Sequence, residues 1–153
     1  VHGHLGGRPP AVDLGREKAL AELLHAAAIE GLVDSAHDLS DGGLAVALAE
    51  AVGRFGVGAR VFLGEVTEDA GIDLATALFS ESTGRVIVTV PREDDVRFRG
   101  LCEGRGYPVR RIGVTDASSH ALEVQDAFTV SVDELRSVNR APLQDAFGPV
   151  VGY

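Results

Sequence analysis

Two short polar segments carry the residues of this chain that are best suited to chemistry. The first, residues 35–44, reads Ser-Ala-His-Asp-Leu-Ser-Asp-Gly-Gly-Leu. Apolar residues then recur at helical spacing, which predicts that a helix begins at the two glycines. The unpaired N–H groups of a helix start attract anions, and carboxylates beside them suit Mg²⁺, which usually bridges protein oxygens and substrate phosphates. The segment therefore predicts a magnesium and phosphate site, unless Asp41 only caps the helix and the glycines only permit tight packing.

The second polar segment, residues 79–85, precedes a run of β-branched residues and supplies Glu81, Ser82, Thr83 and Arg85. If the fold brings the two segments together, they form a site with three carboxylates, several hydroxyls and one arginine. An arginine can grip phosphate or carboxylate with two parallel hydrogen bonds. The alternative is a local ion pair between Glu81 and Arg85 that only stabilises the loop. His37, in the first segment, is better explained as a buried histidine bonded to the backbone than as a general base.

Composition excludes several classes of protein. The chain has 153 residues, with 14 basic against 23 acidic side chains and a formal net charge of −9. This acidity argues against nucleic-acid binding, which usually requires a basic face. We see no apolar run long enough to span a bilayer and no signal peptide, so we expect neither membrane contact nor export. Cys102 is the single cysteine, which leaves no disulfide framework, fits a cytoplasmic location and predicts a small core residue.

The elements that position the polar segments follow from periodicity and from turn residues. The predicted helices span Asp13 to Gly31, Gly43 to Arg54 and Glu93 to Gly104, with a short helix ending near Phe79 and a last one that starts at a capping box, Ser131 to Glu134. The predicted strands span Val33 to Asp38, Val57 to Leu63, Val86 to Val90, Tyr107 to Val114 and Ala121 to Val130. The acidic stretch Glu65 to Asp73 is predicted to be a loop. The run beginning at Val86 is typical of a central strand. Because the last two strands look like neighbours joined by a short turn, we predict an α+β fold with a mixed β-sheet flanked by helices.

Three domain segments are expected. The chain lacks methionine and opens with a polar, Gly/Pro-rich stretch, so we expect a piece of a longer protein whose residues 1–12 are a linker from a missing N-terminal domain. Residues 13–140 form the folded domain. Residues 141–153 show no clear periodicity and are expected to be a C-terminal tail.

Three segments resemble the C-terminal domain of the superfamily that includes aminoimidazole ribonucleotide synthetase. They are residues 6–14, which read Gly-Gly-Arg-Pro-Pro-Ala-Val-Asp-Leu, residues 35–44, and residues 78–85, which read Leu-Phe-Ser-Glu-Ser-Thr-Gly-Arg. Within that superfamily, the chain looks most like the phosphoribosylformylglycinamidine synthase family of purine biosynthesis. The resemblance covers about residues 1 to 140 and implies the fold of the aminoimidazole ribonucleotide synthetase C-terminal domain.

The resemblance implies an activity for the parent protein, an ATP-dependent amidoligase. It converts formylglycinamide ribonucleotide, ATP and glutamine-derived ammonia to formylglycinamidine ribonucleotide, ADP and phosphate. The family's synthetase has two tandem halves, and this chain looks like the C-terminal domain of the second half. The implied partners are the missing N-terminal domains of the same chain, a glutaminase subunit and a small accessory subunit. The family's catalytic residues lie in the N-terminal domains, so we expect no catalytic residue here and no activity from this chain alone.

The resemblance also implies a set of ligand contacts for an auxiliary Mg²⁺–ATP or Mg²⁺–ADP. Asp38 is the implied metal ligand and Ser40 the implied nucleotide contact. The remaining nucleotide- or phosphate-binding residues are Asp41, Gly42 and Gly43 at the anion-binding helix start, and Glu81, Ser82 and Arg85 on the opposing wall. In shorter bacterial relatives this second site is not always kept, and Asp38 is then only a structural relic.

Two other readings remain. One is a different ATP-dependent enzyme of the same superfamily, of the thiamine monophosphate kinase or selenophosphate synthetase type. The opening segment and the Glu-Ser-Thr-Gly-Arg loop argue against it. The other is a non-catalytic scaffold domain in which the polar segments merely cap helices.

Overall fold

The computed structural model describes residues 9–148, which form two compact units, each built from two separate stretches of chain. Unit 1 comprises the chain up to Gly43 together with Ser80–Arg110, and unit 2 comprises Leu44–Phe79 together with the chain from Arg111 onward. The elements in chain order are α1 (Leu14–Ile29), β1 (Ser35–Asp38), α2 (Gly43–Phe55), β2 (Gly58–Val61), α3 (Gly64–Ala70), α4 (Leu74–Phe79), β3 (Val86–Thr89), a 3₁₀ turn (Arg92–Asp94), α5 (Asp95–Gly104), β4 (Gly113–Asp116), β5 (Ala121–Val124), β6 (Phe128–Ser131) and α6 (Val132–Phe147).

Unit 1 packs α1 and α5 around a small apolar core. Helix α1 starts where predicted, because the Asp13 carboxylate accepts hydrogen bonds from the backbone N–H groups of Gly15 and Arg16. The core consists of Leu23, Ala27, Leu32, Phe98 and Cys102, with Val88 and Val90 packed against it. The thiol of Cys102 is therefore a core group, as its sequence context predicts.

Strands β1 and β3 form a two-stranded antiparallel sheet in unit 1. Ser35 lies opposite Thr89 and Asp38 lies opposite Val86. The prediction of a central position for the run from Val86 to Val90 is wrong, since the sheet of the described residues gives β3 a single strand partner. The β-branched residues have another role, because Val88 and Val90 pack against the apolar core of unit 1.

Unit 2 contains a four-stranded mixed sheet in the order β4-β2-β5-β6. Strand β2 pairs antiparallel with β4 and parallel with β5, and β5 and β6 form an antiparallel hairpin. The α+β class with a mixed sheet and flanking helices is confirmed. The predicted single strand from Ala121 to Val130 is two strands, because the chain reverses at Asp126, whose φ of 59° is left-handed. Strands β4 and β5 are not neighbours, since β2 lies between them.

The helices of unit 2 also depart from expectation in two places. Residues 64–70 form α3 where the acidic stretch predicted a loop. Helix α6 begins as predicted, with the Ser131 hydroxyl accepting a hydrogen bond from the N–H of Glu134 at 3.1 Å. It then continues through Pro142 to Phe147, past the point where periodicity is lost in the sequence.

The chain ends are described only in part. Residues 9–12 of the predicted linker are exposed and outside regular structure, while residues 1–8 and 149–153 lie outside the described residues. Among residues 9–148, no helix combines the length and the apolar character that crossing a membrane requires.

Candidate functional site

The sheet of unit 1 brings the ends of the two polar segments to one place. Asp38 is the last residue of β1, and its register partner Val86 is the first residue of β3. In an antiparallel pair the chain leaves one strand at the end where it joins the other. The turn of residues 39–42 therefore departs from the same end of the sheet at which the loop of residues 80–85 arrives.

A hydrogen bond joins the turn to the loop. The backbone N–H of Gly42 donates to Oε1 of Glu81 at 2.8 Å. Gly42 and Gly43 have φ values of 74° and 65°, a left-handed conformation that glycine adopts readily and other residues rarely do. The Gly42 N–H therefore bonds an acidic group of the protein itself, Glu81, which the sequence analysis placed on the opposing wall of a phosphate site.

Asp38 carries the most perturbed carboxylate of the turn. A hydrogen bond from the Ser40 side chain lowers the pKa of the Asp38 carboxyl below its ordinary value, with smaller contributions from backbone N–H groups and from the charge of His37. The Nδ1 atom of His37 lies 2.7 Å from the backbone oxygen of Asp38 and 3.6 Å from its Oδ1. His37 is bonded to backbone as expected, although its side chain is partly exposed instead of buried.

Arg85 is directed at its own loop. Its Nη2 donates to the backbone oxygen of Ser80 and, at 3.0 Å, to the hydroxyl of Ser80. Burial lowers the pKa of its guanidinium from the ordinary value. The local ion pair with Glu81 is not formed among the described residues, because Glu81 bonds Gly42 instead. Arg85 therefore braces the loop.

Further contacts fix the loop of residues 80–85 from two other sides. The Thr83 hydroxyl donates to the backbone oxygen of Ala11 at 2.9 Å, and the Tyr107 hydroxyl donates to the backbone oxygen of Gly84 at 2.6 Å. Tyr107 was not among the predicted site residues. Its sequence position in a predicted strand gives no signal of a contact 23 residues earlier.

The predicted site residues can be compared with the ligands that a magnesium-bound nucleotide requires. Ser40, Asp41 and Ser82 are exposed, and Gly43 is buried. Among residues 9–148, no group of three or more His, Cys, Asp or Glu side chains is placed to hold a metal ion. Mg²⁺ commonly takes one or two protein carboxylates and completes its shell with phosphate oxygens and water. Asp38 and its neighbours fit that mode, in which the nucleotide supplies the remaining ligands, and do not fit a metal cage made by the protein alone.

The sequence has clear relatives. It matches the family described as AIR synthase related protein, C-terminal domain, over residues 1–125. The phosphoribosylformylglycinamidine synthase subunit PurL of Leifsonia xyli subsp. xyli is 67% identical over 155 residues, covering 99% of this chain. The PurL subunit of Renibacterium salmoninarum is 57% identical over 148 residues, covering 97% of this chain. The chain spans 20% and 19% of the length of these two relatives.

Solved structures with a similar fold come from Thermotoga maritima. The structure described as T. maritima PurL complexed with FGAR has a TM-score of 0.73 at 26% identity, over 83% of this chain and 22% of that one. T. maritima PurL complexed with ADP has a TM-score of 0.70 at 26% identity, over 82% and 22%. The structure of PurLQS from the same organism has a TM-score of 0.71 at 26% identity, again over 82% and 22%.

Proposed function

The chain belongs to the AIR synthase related protein C-terminal domain family, and we propose that it serves as the C-terminal domain of the second half of a phosphoribosylformylglycinamidine synthase. The observation that carries this proposal is the 67% identity to a PurL subunit over 99% of the chain. That identity favours the synthase over the thiamine monophosphate kinase and selenophosphate synthetase types. Titration with a magnesium-bound nucleotide distinguishes a nucleotide-binding domain from a scaffold.

In this proposal the whole enzyme is a glutamine-dependent amidoligase of purine biosynthesis. It uses ATP to activate the amide oxygen of formylglycinamide ribonucleotide, and ammonia from glutamine then displaces phosphate to give formylglycinamidine ribonucleotide. The catalytic groups belong to N-terminal domains, and residues 13–140 of this chain form the domain that completes the second half. The match covers about a fifth of each relative, which leaves about four fifths of those subunits for other domains.

We assign the turn of residues 38–43 to an auxiliary nucleotide. Asp38 is the metal ligand, Ser40 a nucleotide contact, and the glycines shape the backbone that approaches phosphate. Bound Mg²⁺ would neutralise phosphate charge beside Asp38. The exposed carboxylate of Asp38 supports this role, because Mg²⁺ prefers carboxylate oxygens as protein ligands. The complex of T. maritima PurL with ADP makes the nucleotide class a reasonable one.

Partners and location follow from the same proposal. The chain works with the N-terminal domains of its own polypeptide, a glutaminase subunit and a small accessory subunit, in the cytoplasm. The solved PurLQS assembly of T. maritima supports a multi-subunit enzyme.

A segment exchange tests the enzymatic part. The segment of the Leifsonia xyli subunit that aligns with this chain is replaced by this chain, and formylglycinamidine ribonucleotide formation is assayed with ATP and ammonia. We expect the chimera to have activity close to that of the unaltered Leifsonia xyli subunit. A chimera that folds, assembles and is inactive would argue against the proposal.

Calorimetric titration tests the nucleotide site. The 153-residue chain is titrated with Mg²⁺–ADP and Mg²⁺–ATP, alongside Asp38→Ala and the matched control Asp34→Ala. Asp34 is also exposed but lies before β1 and outside the turn. Binding that is lost in Asp38→Ala and kept in Asp34→Ala is expected. No heat in the original chain at millimolar ligand would refute an independent nucleotide site.

A further inference from the structure

A cleft of about 490 Å³ lies in unit 1, and one of its lining residues, Tyr107, contacts the loop of residues 80–85 described above. It is lined by the start of α1 and by the turn that follows α5, including Arg16 and Arg105, and no residue from 38–43 or 80–85 lines it. Its volume lies within the range of about 300–1,000 Å³ that is usual for small-molecule sites.

The charged groups of the cleft are unusual for so acidic a chain. Two arginines, Arg16 and Arg105, line it together with one acidic residue, Asp13. Neither arginine makes an ion pair among residues 9–148, although carboxylates outnumber basic groups by 23 to 14 in the sequence. The Asp13 carboxylate is already used, since its Oδ1 accepts hydrogen bonds from the N–H groups of Gly15 and Arg16. The donors left for a ligand are therefore the two guanidinium groups, not the helix start.

The cleft is also held in place before any ligand arrives. The Tyr107 hydroxyl donates to the backbone oxygen of Gly84 at 2.6 Å, which fixes the ring. The Cζ atom of Arg16 lies 5.9 Å from the centroid of that ring, within the range of a cation–π contact. Gly106, with a φ of 64°, makes the sharp turn that places Arg105 and Tyr107 on the same cleft. Preorganisation of this kind reduces the entropy lost on binding.

We propose that this cleft binds a phosphate-bearing small molecule through Arg16 and Arg105. Guanidinium groups match the oxygens of phosphate with paired hydrogen bonds, and two such groups suit a ligand with two or more negative charges. The site is independent of the nucleotide contacts assigned to the turn of residues 38–43, and neither proposal depends on the other.

The test is a titration followed by NMR of the ¹⁵N-labelled chain at low ionic strength without metal. The probes are sodium pyrophosphate, inorganic phosphate and, as a dicarboxylate comparison, succinate. We expect saturable shifts at the amides of Gly15, Arg16 and Gly106, with pyrophosphate bound most tightly. Tighter binding of succinate, no saturable shift, or shifts confined to the amides of residues 40–43 would overturn the proposal.

Variants separate this site from general attraction between charges. Arg16→Gln and Arg105→Gln should each weaken pyrophosphate binding by about fivefold or more. Arg92→Gln is the matched control, because Arg92 is exposed, is in the same unit and does not line the cleft. An equal loss in Arg92→Gln would overturn the proposal, and the spectra themselves report whether each variant is folded.

Discussion

The carboxylate of Glu81 accepts a hydrogen bond from the backbone N–H of Gly42, 39 residues earlier in the chain, at 2.8 Å. This contact joins the two polar segments of unit 1. It also means that the donor exposed by the glycine turn already has an acidic partner within the protein.

Removing that partner should loosen the turn. Glu81→Ala is expected to speed hydrogen exchange of the Gly42 amide and to lower the free energy of unfolding by about 1 kcal/mol or less, because the bond is exposed to solvent. Glu81→Gln keeps an acceptor oxygen and should leave the exchange rate near its original value. Glu93→Ala removes an exposed carboxylate elsewhere in unit 1 and serves as control. Equal exchange rates in Glu81→Ala and the original chain would show that the bond is not formed in solution.

Arg136 stabilises the end of a helix within unit 2. Its Nε donates to the backbone oxygen of Gly53 at 2.7 Å, near the C-terminus of α2, where a positive charge is favourable. Arg136→Met should lower the free energy of unfolding by about 1–2 kcal/mol in chemical denaturation. Arg140→Met, four residues further along the exposed side of α6, should change it little. If both variants lower the free energy of unfolding by a similar amount, the effect comes from a change in α6 itself and not from the bond to Gly53.

Two glycines should respond in opposite directions to alanine. A Cβ at Gly58 would lie 2.5 Å from the backbone oxygen of Ser119 and 2.7 Å from that of Ala121, so Gly58→Ala should cost about 2 kcal/mol or more. Gly100 lies inside α5 with nothing within 4 Å of an added Cβ. Gly100→Ala should therefore stabilise the chain by about 0.5–1 kcal/mol through higher helix propensity. Thermal melts of both variants test these two expectations. A higher melting temperature for Gly58→Ala would contradict the close contact of Gly58 with the backbone oxygens of Ser119 and Ala121.

The pH response of Asp38 should depend on Ser40. The Ser40 hydrogen bond lowers the pKa of the Asp38 carboxyl below 3.8, so the stability from this bond is present above the unfolded pKa and is lost as pH falls through the lower folded value. Ser40→Ala should raise the pKa of Asp38 toward 3.8, as measured by ¹³C NMR of the carboxyl groups. Asp116 has the same arrangement with Ser118. Ser118→Ala should therefore raise the pKa of Asp116 and leave the pKa of Asp38 unchanged. If Ser40→Ala leaves the pKa of Asp38 unchanged, the Ser40 hydrogen bond is not the cause of its lowered value.

Local patterns predicted local structure well in this chain. The cap at Asp13 and the capping box at Ser131 set the starts of α1 and α6, because each depends on a side chain and on N–H groups only two or three residues away. Helix α3 was missed because its acidic composition resembles a loop, although Gly71, with a left-handed φ of 61°, marks its end.

Pairing over long distances was harder to predict. A run such as Val86–Thr89 indicates burial, yet burial on a helical core and burial inside a wide sheet select the same β-branched residues. The separation of β4 from β5 by β2 likewise depends on a partner more than 50 residues away along the sequence. At the candidate site, the two polar segments were correctly identified as a possible pair. The bond from Gly42 to Glu81 and the bond from Arg85 to Ser80 cannot be predicted from the sequence, since each donor has equally plausible partners nearby.

The interleaved arrangement of the two units has a consequence for how this domain is inherited and engineered. The chain passes from one unit to the other after Gly43, after Phe79 and after Arg110. Neither unit can be produced as one uninterrupted piece of its gene, and isolating unit 1 would require a new linker from Gly43 to Ser80. Recombination that exchanges a single continuous segment therefore transfers both units together or splits at least one of them.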